Sequence, residues 1–97
     1  MLQHAKKVFI GTISESEIED AGRNKAIKKL DIVQQQNGKF GIVVTLTWKE
    51  GKFTLITQRK NVREWVSLDR LSHHIQEAYG PPPLISLTLL PEEEILK

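Results

Sequence analysis

The sequence predicts an α+β domain in which an antiparallel four-strand meander carries two helices packed on one face. Three observations favour it. Residues 39–48 alternate between apolar and small or polar side chains, which is typical of a half-buried strand. Asn37-Gly38 and Glu50-Gly51 flank that strand as turn pairs. Ser14 and Ser67 precede segments with helical spacing, as helix caps do. The predicted order is β-α-β-β-β-β-α-β.

Composition and charge limit the classes of protein. We expect residues 1–91 to form a single domain and residues 92–97 an acidic C-terminal tail. The chain has no cysteine, which excludes disulfides and thiolate metal sites. No signal peptide or membrane-length apolar run is present, so we expect a cytoplasmic protein of bacterial type without a membrane partner. Residues 1–91 hold thirteen of the fourteen basic and nine of the twelve acidic residues, a net charge of +4 that suits a polyanionic partner.

The first half of the chain predicts a strand, a helix and a hairpin. Residues 7–12 can form a short strand. Ser14 and Glu17 then fit a capping box, which predicts a helix that reaches Leu30. Residues 31–36 return to strand periodicity. The expected buried helix residues are Ile18, Ala21, Ala26 and Leu30.

Three further strands complete the predicted meander, over residues 39–48, 53–59 and 62–66. Two-residue turns would fix their register, with Trp48 opposite Phe53. The expected core face consists of Phe40, Ile42, Val44, Leu46 and Trp48. The other face would carry one row of Thr45, Ile56 and Trp65 and a second row of Val43, Gln58 and Arg63.

The last part of the chain predicts a helix and a strand. Ser67 would cap a helix that ends at Gly80 and the three prolines after it. Residues 84–90 form a last apolar strand, free to pair with an edge of the meander or with a partner chain. Helix residues expected to face inward are Leu68, Leu71, Ile75, Ala78 and Tyr79.

No motif predicts catalysis. The chain lacks a phosphate-binding glycine loop and a nucleophile elbow. Asp69, His73 and Glu77 share one side of the last helix, but a solvated helix face explains them better than a metal site does. We therefore expect no enzyme activity, no catalytic residue, no cofactor and no metal.

A basic rim is the first candidate binding site. Arg59, Lys60 and Arg63 cluster around one predicted hairpin, with Gln58 and Trp65 on the adjacent sheet face. Cations bind phosphates, and an exposed indole can stack on a base. The sequence therefore predicts a non-catalytic module that binds nucleic acid or an acidic protein through these residues.

An apolar patch is the alternative. With both helices on the core face, Val43, Ile56 and Trp65 would be exposed together on the other face of the sheet. Exposed apolar patches usually mark interfaces. This alternative predicts a protein–protein interaction module or a homodimer.

Residues 57–69 carry a resemblance to a protein family. The segment runs through Thr57-Gln58-Arg59, a turn, a strand bearing Trp65, and Ser67-Leu68-Asp69 opening a helix that ends near Gly80. It resembles short accessory proteins of plasmids and other mobile elements. The resemblance covers residues 53–90 and implies a role in plasmid maintenance or partition. The triple proline and the long first hairpin depart from the family pattern, and the resemblance implies no functional residue.

Overall fold

The computed structural model describes residues 10–80 and 82–91 of the chain. These residues form five strands and two helices in the order β-α-β-β-β-α-β. The second helix continues through a π-helical turn, Ile75–Tyr79. The elements are β1 (Ile10–Ile13), α1 (Glu15–Arg23), β2 (Ile27–Gln34), β3 (Phe40–Leu46), β4 (Lys52–Leu55), α2 (Leu68–His74) and β5 (Ile85–Thr88).

The strands form one mixed sheet in the order β1-β4-β3-β2-β5. β3 is antiparallel to β2 and β4, whereas β1 pairs in parallel with β4 and β5 pairs in parallel with β2. The connections through α1 and α2 therefore cross the sheet in the same direction. Right-handed crossovers in one direction place both helices on one face.

A single core lies between this face and the helices. Ile18 and Ala21 of α1 pack in the same cluster as Leu71 of α2 and Ile75 of the π-helical turn, as the helical spacing predicts. Leu68 differs from the prediction, because it is 37% exposed. Besides Gly41, the buried strand residues are Ile13, Ile27, Leu30, Ile32, Ile42, Val44, Leu46, Phe53 and Leu55.

Local signals correctly placed the start of both helices and the end of the second. The Ser14 hydroxyl accepts from the Glu17 backbone N–H, and the Glu17 carboxylate accepts from the Ser14 N–H, which completes the capping box. Ser67 caps α2 by accepting from Arg70 N–H. Gly80 ends the π-helical turn with a φ of 75°, a conformation that favours glycine.

The prediction of a four-strand antiparallel meander is wrong, because residues 62–66 do not form a strand. Only Val62 bridges to Ile56, after which the chain moves across and Trp65 bridges to Phe40. Trp65 thereby takes the place beside β3 that a longer β4 would have filled, on the helix-covered side of the sheet. Burying a tryptophan, worth several kcal/mol, outweighs the net ~1 kcal/mol from each strand hydrogen bond given up.

The predicted register between β3 and β4 is also wrong. Phe53 pairs with Val44 rather than Trp48, because a longer loop replaces the two-residue Glu50-Gly51 turn. Trp48 therefore lies in this loop and is 68% exposed instead of belonging to the core. The register of a hairpin follows loop length, which the strand pattern does not encode.

Other boundaries differ by several residues. α1 ends at Arg23, and β2 begins at Ile27, so Leu30 is buried in a strand rather than in a helix. Ala26 lies between the two elements and is partly buried. Residues 7–9 of the predicted first strand and the acidic tail lie outside the described residues. In the described ranges, no helix is long and apolar enough to span a membrane.

Candidate functional site

The hairpin of the predicted basic rim is present at the end of β4. Thr57 accepts through its carbonyl from Lys60 N–H and donates its own N–H to the Asn61 carbonyl, which closes a tight turn. Gln58, Arg59 and Lys60 are all exposed at its tip. Lys60 has a φ of 72°, a left-handed conformation that a non-glycine residue adopts only at a cost.

Arg63 and Trp65 do not join this exposed tip. Trp65 is 9% exposed and belongs to the core. The Arg63 guanidinium lies 4.6 Å from the centre of the indole ring, and its Nη1 is 3.9 Å from Glu15 Oε1. The guanidinium thus lies over the indole ring, and with only 9% of its surface exposed Trp65 is not available for base stacking.

A polar cluster absent from the sequence prediction joins α1 to the π-helical turn. Tyr79 donates its hydroxyl to Glu15 Oε1 over 2.9 Å. His74 Nε2 lies 2.9 Å from Glu15 Oε2 and 3.1 Å from the Tyr79 hydroxyl oxygen. The His74 ring also packs against Trp65, with ring centres 5.3 Å apart. We call Glu15, Arg63, Trp65, His74 and Tyr79 the Glu15 cluster.

Two side chains in or beside this cluster have raised pKa values. Burial raises the pKa of Tyr79 far above its usual range, and the adjacent Glu15 carboxylate adds to the effect. The pKa of Glu19, one turn after Glu15, is also raised, first by a hydrogen bond shared with Glu15 and then by desolvation. The phenol of Tyr79 therefore stays protonated at neutral pH and serves as a hydrogen-bond donor.

The contacts of the Glu15 cluster connect two helical segments. Nε2 of His74 is occupied by the carboxylate and the phenol, and no serine or threonine hydroxyl in the described part of the chain hydrogen-bonds to His74. A tyrosine with a raised pKa is a poor nucleophile. The cluster links α1 to the end of α2 through charge-assisted hydrogen bonds, which are stronger than hydrogen bonds between neutral groups.

We expect Tyr79 to make the protein less stable in alkali. Because folding raises the pKa of Tyr79, the folded state holds this proton more tightly than the unfolded state. The contribution of Tyr79 to the free energy of unfolding is complete below about pH 10. Above that pH it falls by at most about 1.4 kcal/mol per pH unit. Urea unfolding between about pH 9 and pH 11 should show a steeper loss for the wild type than for Tyr79→Phe. The chain has one tyrosine, so equal slopes would contradict the assignment.

The second sheet face holds less apolar surface than predicted. Val43 and Ile56 do lie on it, but both are half-buried, and the predicted third member, Trp65, lies on the opposite side of the sheet. The register places Thr12, Thr54, Asp31 and Ser86 in the row that contains Val43. Hydroxyl-bearing and charged side chains thus dominate this row, as expected for a sheet face in contact with water.

The largest stretch of exposed apolar side chains lies along β5 and its flanks. Leu84, Ile85, Leu87 and Leu89 are exposed by 53%, 44%, 47% and 58%. Ile85 and Leu87 pair with Leu30 and Ile32, so they lie on the helix-covered side but at its margin. β5 is an edge strand, and β2 is its only partner among the strands that the structure describes.

A cleft of about 490 Å³ opens beside the exposed Trp48, between α1 and the end of the sheet. Ile13, Ala21, Leu46 and Phe53 are among the residues that line it. Its acidic lining residues already have partners, because Glu17 completes the capping box and Asp20 pairs with Arg23. The strand pattern assigned Trp48 to the core; two charged residues and a glycine directly after it, Lys49-Glu50-Gly51, were the signal for a loop.

Among the described residues, no group of three histidine, aspartate or glutamate side chains could hold a metal ion. Asp69, His73 and Glu77 are exposed. No family model, curated protein or solved structure matches the chain. The resemblance to accessory proteins of mobile elements therefore stays a prediction.

Proposed function

We propose that this protein is a small non-catalytic interaction module that binds an extended segment of a protein partner along the free edge of β5. Strand addition of this kind supplies main-chain hydrogen bonds for affinity and side-chain contacts for specificity. The single observation that carries the proposal is the apolar edge strand, with four exposed apolar side chains between Leu84 and Leu89.

An unprotected edge of this composition is unusual. Monomeric proteins usually shield edge strands with charges, bulges or covering loops, because an open edge invites pairing with other chains. Residues 84–90 of this chain contain no charged side chain. Pro83 and Pro91 flank the segment and confine pairing to it, since proline cannot donate to a ladder. An edge kept apolar between two prolines is better explained as a binding strand than as a solvent surface.

The proposal is tested by selecting peptides from a displayed random library on the wild-type protein. Each selected peptide is then measured against Leu87→Lys, which places a charge in the edge, and Trp48→Lys, which places the same charge on another exposed apolar residue. We expect apolar, β-prone peptides whose binding falls at least about tenfold with Leu87→Lys, or ~1.4 kcal/mol, and is unchanged with Trp48→Lys. Peptides that are indifferent to Leu87→Lys would overturn the proposal.

Nucleic-acid binding through the hairpin tip is a second candidate, favoured by two exposed cations. Neither Arg59 nor Lys60 forms an ion pair with any described residue. Two phosphate contacts predict a slope of only about −1.8 for log K against log salt on duplex DNA. This tip alone therefore supports weak, sequence-independent contact rather than specific recognition.

Two lysines provide a matched test of that candidate. Lys60 and Lys25 are both exposed and both have positive φ, 72° and 55°. Substituting glycine removes one charge and the same backbone strain at each site, so both variants should gain up to about 1 kcal/mol of stability. We expect Lys60→Gly, but not Lys25→Gly, to weaken binding to generic duplex DNA in anisotropy titrations. Equal losses of DNA affinity in the two variants would contradict a binding site at the hairpin tip and indicate nonspecific attraction to a basic protein.

A further inference from the structure

We infer that the partner of β5 is a second copy of this chain, paired antiparallel about a two-fold axis at Ser86. The inference rests on the proposed function and names its occupant. It would join two five-stranded sheets into one continuous sheet through their β5 edges.

The backbone of β5 shows which groups are free. Leu30 donates its N–H to the Leu84 carbonyl over 2.9 Å, and Leu30 is the register partner of Ile85. In a parallel ladder, this pattern directs the backbone groups of Ser86 toward β2 and those of Ile85 and Leu87 away from it. The N–H and C=O groups of Ile85 and Leu87 therefore point to the open edge.

These free groups match a second copy of themselves. When two β5 strands run antiparallel about Ser86, Ile85 of one copy lies opposite Leu87 of the other, and the reverse. Residues that face each other in this way exchange both backbone hydrogen bonds, so the two pairs form four. Two-fold axes at Ile85 or Leu87 also match the free groups, but each gives two symmetry-related pairs that reach beyond β5. The axis at Ser86 is the one that pairs both free residues within the strand itself.

The side chains agree with this axis on both faces. On the helix-covered side, Ile85 meets Leu87 of the second copy, which brings the exposed apolar side chains of the two strands together. On the other face, Ser86 meets Ser86. The Ser86 hydroxyl is buried and has no hydrogen-bond partner among the described residues, an arrangement that folded proteins seldom tolerate. Its oxygen is closed to solvent within one chain, so it would have to rotate toward the edge to reach the second hydroxyl that pairing about Ser86 brings near.

The size of the interface predicts its strength. One short strand from each subunit buries less than the about 1,200 Å² of a standard stable complex. We therefore expect a reversible dimer whose population rises with protein concentration. Closed two-fold pairing also predicts that association stops at the dimer.

The absence of native cysteine allows a direct test by single-cysteine crosslinking. Residues facing each other as a non-hydrogen-bonded pair have Cα atoms about 4.5 Å apart, within disulfide range. The two Ser86→Cys thiols of a dimer should therefore form a disulfide between the copies. Oxygen, with copper phenanthroline as catalyst, accepts the two electrons and two protons that the thiols release. Thr88→Cys, on the same face of the strand, is the control, because its two copies would be about 13 Å apart along the strands.

We expect Ser86→Cys to form the covalent dimer at least tenfold faster than Thr88→Cys, a difference of ~1.4 kcal/mol in activation free energy. Adding Leu87→Lys to the Ser86→Cys variant should abolish this difference in rate. Equal rates, or crosslinking only in a mixture of Ser86→Cys with Thr88→Cys, would overturn the axis at Ser86. A wild type that stays monomeric in light scattering at high concentration would overturn the dimer. If the selected peptides still lose affinity with Leu87→Lys, the proposed peptide-binding function would be supported even though the dimer is excluded.

Discussion

Replacing Trp65 by alanine should lower the free energy of unfolding by about 3–5 kcal/mol, the usual cost of emptying a buried aromatic site. The indole is 9% exposed, and it packs against the Arg63 guanidinium and the His74 ring. Its loss leaves a cavity and removes the support of the Glu15 cluster, so the cost should be near the upper end of that range. Urea unfolding followed by circular dichroism measures it.

Trp48 provides the matched control for this experiment. It is the chain's other tryptophan and is 68% exposed, so Trp48→Ala should change stability by no more than about 0.5 kcal/mol. Fluorescence gives a second readout: the Trp48→Ala variant should retain the emission of a buried indole, and Trp65→Ala that of a solvated one. Similar stability losses for the two variants would contradict the β3–β4 register described above.

Gly22→Ala should destabilise the protein by about 2–3 kcal/mol net, although alanine favours a helix over glycine by about 1 kcal/mol. A Cβ atom on Gly22 would lie 2.8 Å from the carbonyl carbon and from the Cα of Tyr79. Both are backbone atoms and cannot rotate away, so α1 would have to separate from the π-helical turn. That movement would also strain the hydrogen bond between Glu15 and Tyr79.

Gly41→Ala controls for the general effect of replacing a buried glycine. Its nearest neighbours would be the side-chain atoms of Gln35 and Val62, at 3.1 and 3.3 Å, which can shift. Chemical denaturation should show a change within about 1 kcal/mol, smaller than that for Gly22→Ala. A stabilised Gly22→Ala protein would show that α1 and the π-helical turn do not approach each other so closely.

The sequence was most informative where structure depends on neighbouring residues. Ser14, Ser67 and Gly80 marked helix ends because caps act within four residues of themselves. The alternation in β3 identified the core face from Phe40 to Leu46 for the same reason, since period-two exposure is a local property. Each of these predictions needed no knowledge of the rest of the chain.

Features that depend on distant residues were missed. Glu15 meets Tyr79 across 64 positions, and no local pattern links them. The parallel pairing of β1 with β4 and of β5 with β2 depends on crossover geometry rather than on strand composition. Trp48 lies outside the core because one loop was longer than a turn pair suggested, and Trp65 lies in it because the chain crosses to pair with Phe40. Binding through Gln58, Arg59 and Lys60 stays a prediction, whereas Arg63 and Trp65 belong to the Glu15 cluster.

The strand order has a consequence for the order in which the molecule assembles. β2 and β3 are joined by a short hairpin and can pair early, within microseconds for an isolated hairpin. β1 must find β4 across about 40 residues and β5 must find β2 across about 55, and each longer loop costs additional closure entropy. Both edges of the sheet therefore form late and open first, and amide hydrogens of β5 should exchange with solvent well before those of β3.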